Sequence, residues 1–382
     1  MRLFSQFYNF FPAYLLSVIQ YIILIFVSEV QNKIQILLKE WYHANKRDLP
    51  WRDIDNPYKI WVSEIILQQT RVNQGYDYYI RFIGRFPDIA TLASADEDEV
   101  LKYWQGLGYY SRARNLHKAA RQIMTRHNGI FPSNFQDVLN LSGVGHYTAA
   151  AICSFAYKQP YAVVDGNVYR VLSRLTALET PIDSTVGKKE FAELAQQFLA
   201  IQHPDIHNQA MMDFGAMQCT PAAPDCEACP LKAYCKAYDL GLVSQLPVKQ
   251  GKTAISNRYF NYFFITKGND TYLQKREKND IWKNLYEFPL IESSKDVEID
   301  ELSKMDDFKI LFENAIGFKI IKKSRSIKHI LSHRIIYTRF YTVRIDEESE
   351  KISSFLKIHL TDIDKFAVSR LTELFLEKEL HE

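Results

Sequence analysis

From Gln31 to about Tyr238, apolar residues recur at three- and four-residue steps between short polar breaks. That period predicts helices. IQILLKEWYHAN, IWVSEIILQQTRV, ARNLHKAARQIMTRH, TAAAICSFAY, GNVYRVLSRLTAL and FAELAQQFLAI carry it, and roughly ten helices are expected. Start signals stand at Ser94 and Asp96, before DEDEVLKYW, and at Ser133, before NFQDVLNL. The period changes after Leu246. LPVKQGKTAISN has none and reads as a linker over residues 246–257. Beyond it, RYFNYFFITKG, DTYLQKRE and RIIYTRFYTVRI are rich in aromatic and β-branched residues and read as strands. SKMDDFKILFENAIG and DIDKFAVSRLTELFLEKEL read as helices. A mainly α domain (31–245) followed by an α+β domain (258–382) is expected.

Residues 1–30 stand apart. Phe10 to Val27 is an uncharged apolar run at the lower edge of a membrane span. A membrane anchor, a helix packed on the body and an upstream start codon compete. The last is adopted, with the working chain beginning near Val30, a cytoplasmic location, and membrane contact only if 10–27 is a real anchor.

The 47 basic and 45 acidic residues leave a net charge of +2, which excludes a histone-like polycation. It leaves DNA binding open, because the placement of charge decides that. Five cysteines are too few for a disulfide scaffold. Four of them, Cys219, Cys226, Cys229 and Cys235, fall in CTPAAPDCEACPLKAYC, where three prolines stiffen the loop. Four thiolates at this spacing suit zinc or an iron–sulfur cluster. Cys153, in TAAAICSFAY, reads as an inert core residue.

LNLSGVGHYTAAAI places Gly143 and Gly145 between two helical segments. Both glycines are expected to permit a tight hairpin whose N–H groups approach phosphate. Glu64 lies in a segment apolar almost all round, so its carboxyl should hold a proton near neutral pH, as a general acid must. An ordinary ion pair with Arg52, Arg71 or Arg112 is the plain alternative. Asp165 ends the strand-like run YAVV and caps GNVYRVLSRL, where a helix N-terminus favours the anion. One neutral acid and one fixed anion match glycosidic bond cleavage. Val100 to Gln136 holds no acidic residue but Lys102, Arg112, Arg114, Lys118, Arg121 and Arg126. Within it, Gly106 and Gly108 are expected to expose Leu107 as an apolar tip beside Tyr109 and Tyr110, a wedge for a gap in a base stack.

LPWR, PYKIWVSEIILQQTRV, WQGLGYYSRARNLHKAA, LSGVGHYTAAAI, VVDGNVYRVLSR, NQAMMDFGAMQCT and the cysteine loop together resemble the helix–hairpin–helix DNA glycosylases, specifically the MutY adenine DNA glycosylase family. The resemblance implies a 4Fe–4S cluster and removal of adenine mispaired with 8-oxoguanine or guanine in double-stranded DNA. It assigns Glu64 as the acid, Asp165 as the stabiliser of the sugar cation, and Tyr147 and Asn167 as their supports. Arg52, Gln69, Thr70, Leu107, Tyr109, Gly143 and Gly145 become DNA contacts. Tyr147 stands where relatives that cleave the strand carry a lysine, so a monofunctional enzyme is expected.

WKNLYEFP and HILSHRIIYTRF resemble the family's Nudix-like domain, with Ser332 and His333 in the loop that reads 8-oxoguanine and Leu331 in place of the usual phenylalanine. No acidic Nudix helix is present, so no small-molecule nucleotide substrate is expected. A monomer is expected. A bifunctional glycosylase/lyase, a non-catalytic DNA-binding protein and a nucleotide pyrophosphohydrolase are the competing readings.

Overall fold

The computed structural model describes residues 29–251 and 255–379, so the apolar run 10–27 lies outside the described residues. Its helical part runs α1 (29–45), α2 (Pro57–Leu67), α3 (Val72–Arg85), α4 (Ile89–Ser94), α5 (Glu97–Trp104) and α6 (Ser111–Arg126). It continues with α7 (Phe135–Leu139), α8 (His146–Tyr157), α9 (Gly166–Thr176), α10 (Thr185–Phe198), α11 (Pro204–Met217) and α12 (Lys236–Asp239). The strands are β1 (Ser256–Lys267), β2 (Asp270–Lys275), β3 (Tyr286–Glu287), β4 (Leu290–Ser293), β5 (Lys319–Lys323), β6 (Ile327–Ile330), β7 (Arg334–Arg344) and β8 (Leu356–His359). Among them lie α13 (Ile299–Leu302), α14 (Asp306–Phe312), α15 (Glu350–Ser353) and the C-terminal α16 (Arg370–Glu379). None of the described helices is long and apolar enough to cross a membrane.

Two compact units form. One joins residues 29–64 with Phe131–Gly251, and the other joins Ile65–Ile130 with residues 255–379. In the first, Leu38 and Tyr42 of α1, Val168 and Leu172 of α9, Phe191 of α10 and Met211 and Phe214 of α11 make one core. The sequence linker is partly strapped down. Arg174 Nε donates to Leu246 O at 3.1 Å, Ile182 N to Val248 O at 3.0 Å, and Gln250 N to the Asp183 carboxylate at 2.9 Å. Polar loop composition therefore concealed ordered backbone.

The second unit is built on a sheet in the order β3-β2-β1-β7-β5, with β4 on β1, β6 on β7 and β8 on β2. β1 and β7 pair in parallel from Ser256↔Arg334 to Thr266↔Arg344. Strand alternation sorts their aromatics. Phe260, Tyr262, Phe264 and Phe340 pack against α16 through Phe375, while Phe263, Tyr341 and Val343 pack toward α14 and α15. The acidic start of α5 docks on this sheet. Asp98 accepts from Lys275 Nζ at 2.5 Å and Tyr286 Oη at 2.8 Å, and Glu97 accepts from Asn284 Nδ2. Arg114 Nη1 donates to Lys283 O at 2.8 Å. The acids that signalled a helix start thus also hold the helices to the strands.

Cap positions shift slightly from expectation. Asn134, not Ser133, caps α7, accepting from Gln136 N and Asp137 N. Asp96 precedes α5 but its side chain makes no cap bond. WKNLYEFP yields only the two-residue β3, because Trp282 and Asn284 take left-handed conformations.

Candidate active site and cysteine loop

Helix α2 buries Ile60, Trp61, Val62, Ile65 and Ile66 around its circumference. Glu64 is carried into that apolar setting and is only 6% exposed. Loss of water penalises its anion and lifts its pKa from 4.5 to about 7, against the hydrogen bond from Tyr147 and the positive charge of Arg52. Tyr147 Oη donates to Oε2 at 2.8 Å. Oε1 accepts no hydrogen bond among the described residues.

None of the three arginines pairs with Glu64. Arg71 is exposed. Arg112 is buried and spends its guanidinium on the carbonyls of Ile65, Ile66 and Gln68 at 2.5–3.0 Å, and on those of Leu107 and Gly108 at 3.3 and 3.1 Å. It clamps the end of α2 to the 105–110 loop. Lys102, Arg114 and Arg121 are likewise occupied by the carbonyls of Phe366, Lys283, Ala93 and Ala95. The run of cations that read as a phosphate surface is therefore largely structural. Lys118 and Arg126 remain exposed.

Asp165 caps α9 as expected. Oδ1 accepts from Asn167 N at 2.9 Å and Val168 N at 2.8 Å, and Oδ2 from Asn167 Nδ2 at 2.8 Å. The expected low proton affinity is not found. Burial raises its pKa, and the three donors and the Arg170 charge oppose that rise. Glu64 and Asp165 are thus both dehydrated. They differ in donors, three for Asp165 and one for Glu64, and the Asp165 charge is itself felt at Glu64. YAVV is not a strand. It is held instead by Asn208, which accepts from Val163 N at 3.0 Å and donates to Tyr161 O at 2.8 Å.

The 143–145 hairpin needs a left-handed residue at Gly143, with φ 76°, but not at Gly145, whose φ is −97°. Gly145 stands just before α8 with open space where a Cβ would lie. Tyr147 follows in the first turn of α8, aimed at Glu64. Arg52 is mostly buried, and its Nη2 donates to Asp213 Oδ1 at 3.2 Å.

In the second unit, Gln69 follows α2 exposed and left-handed at φ 58°, and Thr70 is half-buried. Gly106 and Gly108 do take positive φ, but they do not expose Leu107, which is 7% exposed. The exposed tip is Tyr109, 45% exposed, left-handed and within reach of the Arg112 cation. The two glycines bend the loop so that leucine turns inward and tyrosine outward. Tyr109 Oη hydrogen-bonds the Ser332 hydroxyl. Ser332 and His333 are exposed in the turn between β6 and β7.

Cys219, Cys226, Cys229 and Cys235 line one cavity with Val171, Leu175, Phe214, Leu231 and Val243, and none is in a disulfide. Burial pushes the Cys229 thiol up to about 11, with Cys226 and Cys235 also raised. Among the described residues no three His, Cys, Asp or Glu side chains are grouped to hold one metal ion. Arg174 Nη1 lies 3.4 Å from Cys219 Sγ and donates to Thr220 O at 2.8 Å.

Two family models match this chain. Residues 62–197 match the HhH-GPD superfamily of base excision DNA repair proteins, and 261–378 match the NUDIX domain. An adenine DNA glycosylase of Buchnera aphidicola subsp. Baizongia pistaciae is 36% identical over 304 residues, covering 79% of this chain and 83% of that protein. The chain belongs to the adenine DNA glycosylase family. An Arabidopsis thaliana adenine DNA glycosylase is 30% identical across 86% of this chain and 60% of its own length. A thermostable thymine-DNA glycosylase of known structure aligns with a TM-score of 0.53 and 27% identity, over 56% of this chain and 99% of that one.

This glycosylase is thus a base excision repair hydrolase of N-glycosyl bonds, with a helical HhH-GPD region followed by a mixed-sheet NUDIX-like region. Several residues that shape its site escaped sequence reasoning. Arg170 donates to Asn167 Oδ1 at 2.9 Å, Gly215 O at 2.6 Å and Cys219 O at 2.8 Å. A Cβ on Gly215 would sit 2.6 Å from the Asn167 Cβ, so only glycine lets α11 approach α9 there. Asp213, wholly buried two residues earlier on the same helix, takes both Arg47 and Arg52. The motif NQAMMDFGAMQCT carried these signals as a small residue and an acid inside an apolar helix.

Proposed function

We propose that this enzyme removes adenine lying opposite 8-oxoguanine or guanine in duplex DNA, acting on a base extruded from the stack. Extrusion costs roughly a few kcal/mol. Glu64 donates its proton to the 7-nitrogen of adenine, making the base a better leaving group. As the N-glycosidic bond breaks, the sugar gains oxocarbenium character, and Asp165 stabilises that cation through its negative charge or by transient covalent capture. Water adds to the sugar carbon and loses a proton, leaving an abasic site. Tyr147 orients Glu64 and Asn167 orients Asp165. The observation that carries this reading is the pair of dehydrated carboxyls, one with a free oxygen and a pKa near 7, the other fixed by three N–H donors.

Arg52, Gln69, Thr70, Tyr109, Gly143 and Gly145 are assigned to DNA, with Leu107 supporting the loop from beneath. Ser332 and His333 are assigned to the opposite base. Residues 31–245 form the glycosylase domain, 246–257 the linker and 258–382 the Nudix-like domain. The four cysteines are assigned to a 4Fe–4S cluster. Their donor set fits: thiolates spread around an apolar cavity suit a cluster with one iron per sulfur better than one zinc ion. Bound there, the cluster supplies four iron–thiolate ties that fix the loop.

The test is a gel assay on duplexes with adenine opposite 8-oxoguanine or guanine, treated with alkali afterwards. Strand breaks that need alkali support a monofunctional glycosylase. Binding without base release, or a borohydride-trapped adduct, would overturn it in favour of a binding protein or a lyase.

A further inference from the structure

Arg52 is a mostly buried cation whose charge reaches Glu64, yet no hydrogen bond or ion pair joins the two among the described residues. In a dry site a guanidinium cation near a carboxyl should favour loss of the carboxyl proton to solvent and form a pair with the resulting anion, because attraction between opposite charges grows as water is excluded. Something must compete. The competitor is Asp213 on α11, which is 0% exposed. Its Oδ1 accepts from Arg52 Nη2 at 3.2 Å and also from Arg47 Nη2, while its Oδ2 has no partner. Nη1 of Arg52 is buried and equally unpartnered. The guanidinium is therefore incompletely satisfied and retains the capacity to engage a second carboxylate. We infer that Asp213 is a positioning residue: its carboxylate holds the Arg52 guanidinium back from Glu64 and keeps the proton donor from becoming half of an ion pair.

The surroundings leave few other ways to set the charge of Glu64. From α8 it faces Tyr147, whose ionisation burial suppresses. From the head of α9 it faces Asp165, and from the segment between α1 and α2 it faces Arg52. Asp213 and Arg47 stand with Arg52, and Tyr42 of α1 feels both Arg52 and Asp213. Removing the charge of Asp213 leaves the mostly buried Arg52 guanidinium, and the partly exposed one of Arg47, without their carboxylate, which is unfavourable. Arg52 then turns to Glu64 and stabilises its anion. Removing the charge of Arg52 does the opposite.

This inference rests on Glu64 as the general acid, and the experiment separates the two. Single-turnover release of adenine from an adenine:8-oxoguanine duplex is followed from about pH 5 to about pH 9. The wild-type protein is compared with Asp213→Asn, Arg52→Met, their combination and Glu64→Gln. In Asp213→Asn the alkaline limb moves down by about one unit or more, with the rate recovering at the acid end. In Arg52→Met it moves up, and in the double variant it returns to the wild-type position or above. A uniform loss across pH in Asp213→Asn with an unmoved limb overturns the inference, as does an unmoved limb in Arg52→Met. Inactive Glu64→Gln beside either result sinks the role of Asp213 alone. Wild-type rates in Glu64→Gln sink the acid assignment and this inference together.

Discussion

A carboxyl folded into an apolar helix pays for dehydration in its charged form only, and Glu64 shows the consequence for both chemistry and stability. Its pKa lies above the ordinary 4.5, so folding favours the protonated form. That advantage is complete below about pH 4.5 and is lost as pH rises through about 7. A glutamine has no such dependence. Glu64→Gln should therefore gain stability over wild type between those limits, by roughly 3 kcal/mol on the alkaline side. Thermal melts across pH check this, and parallel curves would contradict it. The same substitution should lower excision by about 10²–10⁴ while leaving mispaired-duplex binding in place.

Glu64 was legible because a lone acid interrupts IWVSEIIL. The proton affinity of Asp165 was legible only in part. Its cap geometry followed from VDGN, but burial depends on the packing of α9 against α11, which sequence spacing does not state.

At the scale of elements, α9 and α11 touch at Gly215, and the position of Asn167 follows from that contact. Gly215→Ala places a methyl against the Asn167 backbone and Cβ. It should cost about 1–3 kcal/mol of stability. It should also reduce kcat far more than it weakens DNA binding, as melts and single-turnover rates would show. Unchanged kcat would mean that the crossing is looser than described.

The strands and long helices were readable from their two periods, β1 and β7 most clearly. The loops were harder. Gly106-Leu107-Gly108 gave the right bend and the wrong residue at its tip, because glycine reports conformational freedom and not the direction a neighbour faces. The basic run over 102–126 misled for a related reason. An arginine in sequence does not say whether it meets solvent or, like Arg112, a row of helix-end carbonyls.

At the scale of the molecule, the alternating strand pattern after residue 255 announced the second fold class. The packing of 65–130 with 255–379 did not show in the sequence, since Asp98, Lys275 and Tyr286 look like ordinary surface residues until they meet. Two predictions belong here. Cys229→Ser should lose iron–sulfur absorbance and bound iron and lower the melting temperature of the helical region. Full retention of stability with no iron would remove the cluster from the account. Ser332→Ala should reduce the preference for 8-oxoguanine over guanine opposite adenine by about tenfold, the scale of one good polar contact to a base. Equal loss on both duplexes would point to a loop defect.

Base excision by this enzyme turns on Glu64 holding a proton at working pH and giving it to the departing base. The most direct test is the pH dependence of single-turnover adenine release, run side by side for wild type and Glu64→Gln. The wild-type rate should fall with a midpoint near 7, and the variant should be slow and flat. A wild-type profile flat through neutrality, or a variant as fast as wild type, would contradict it.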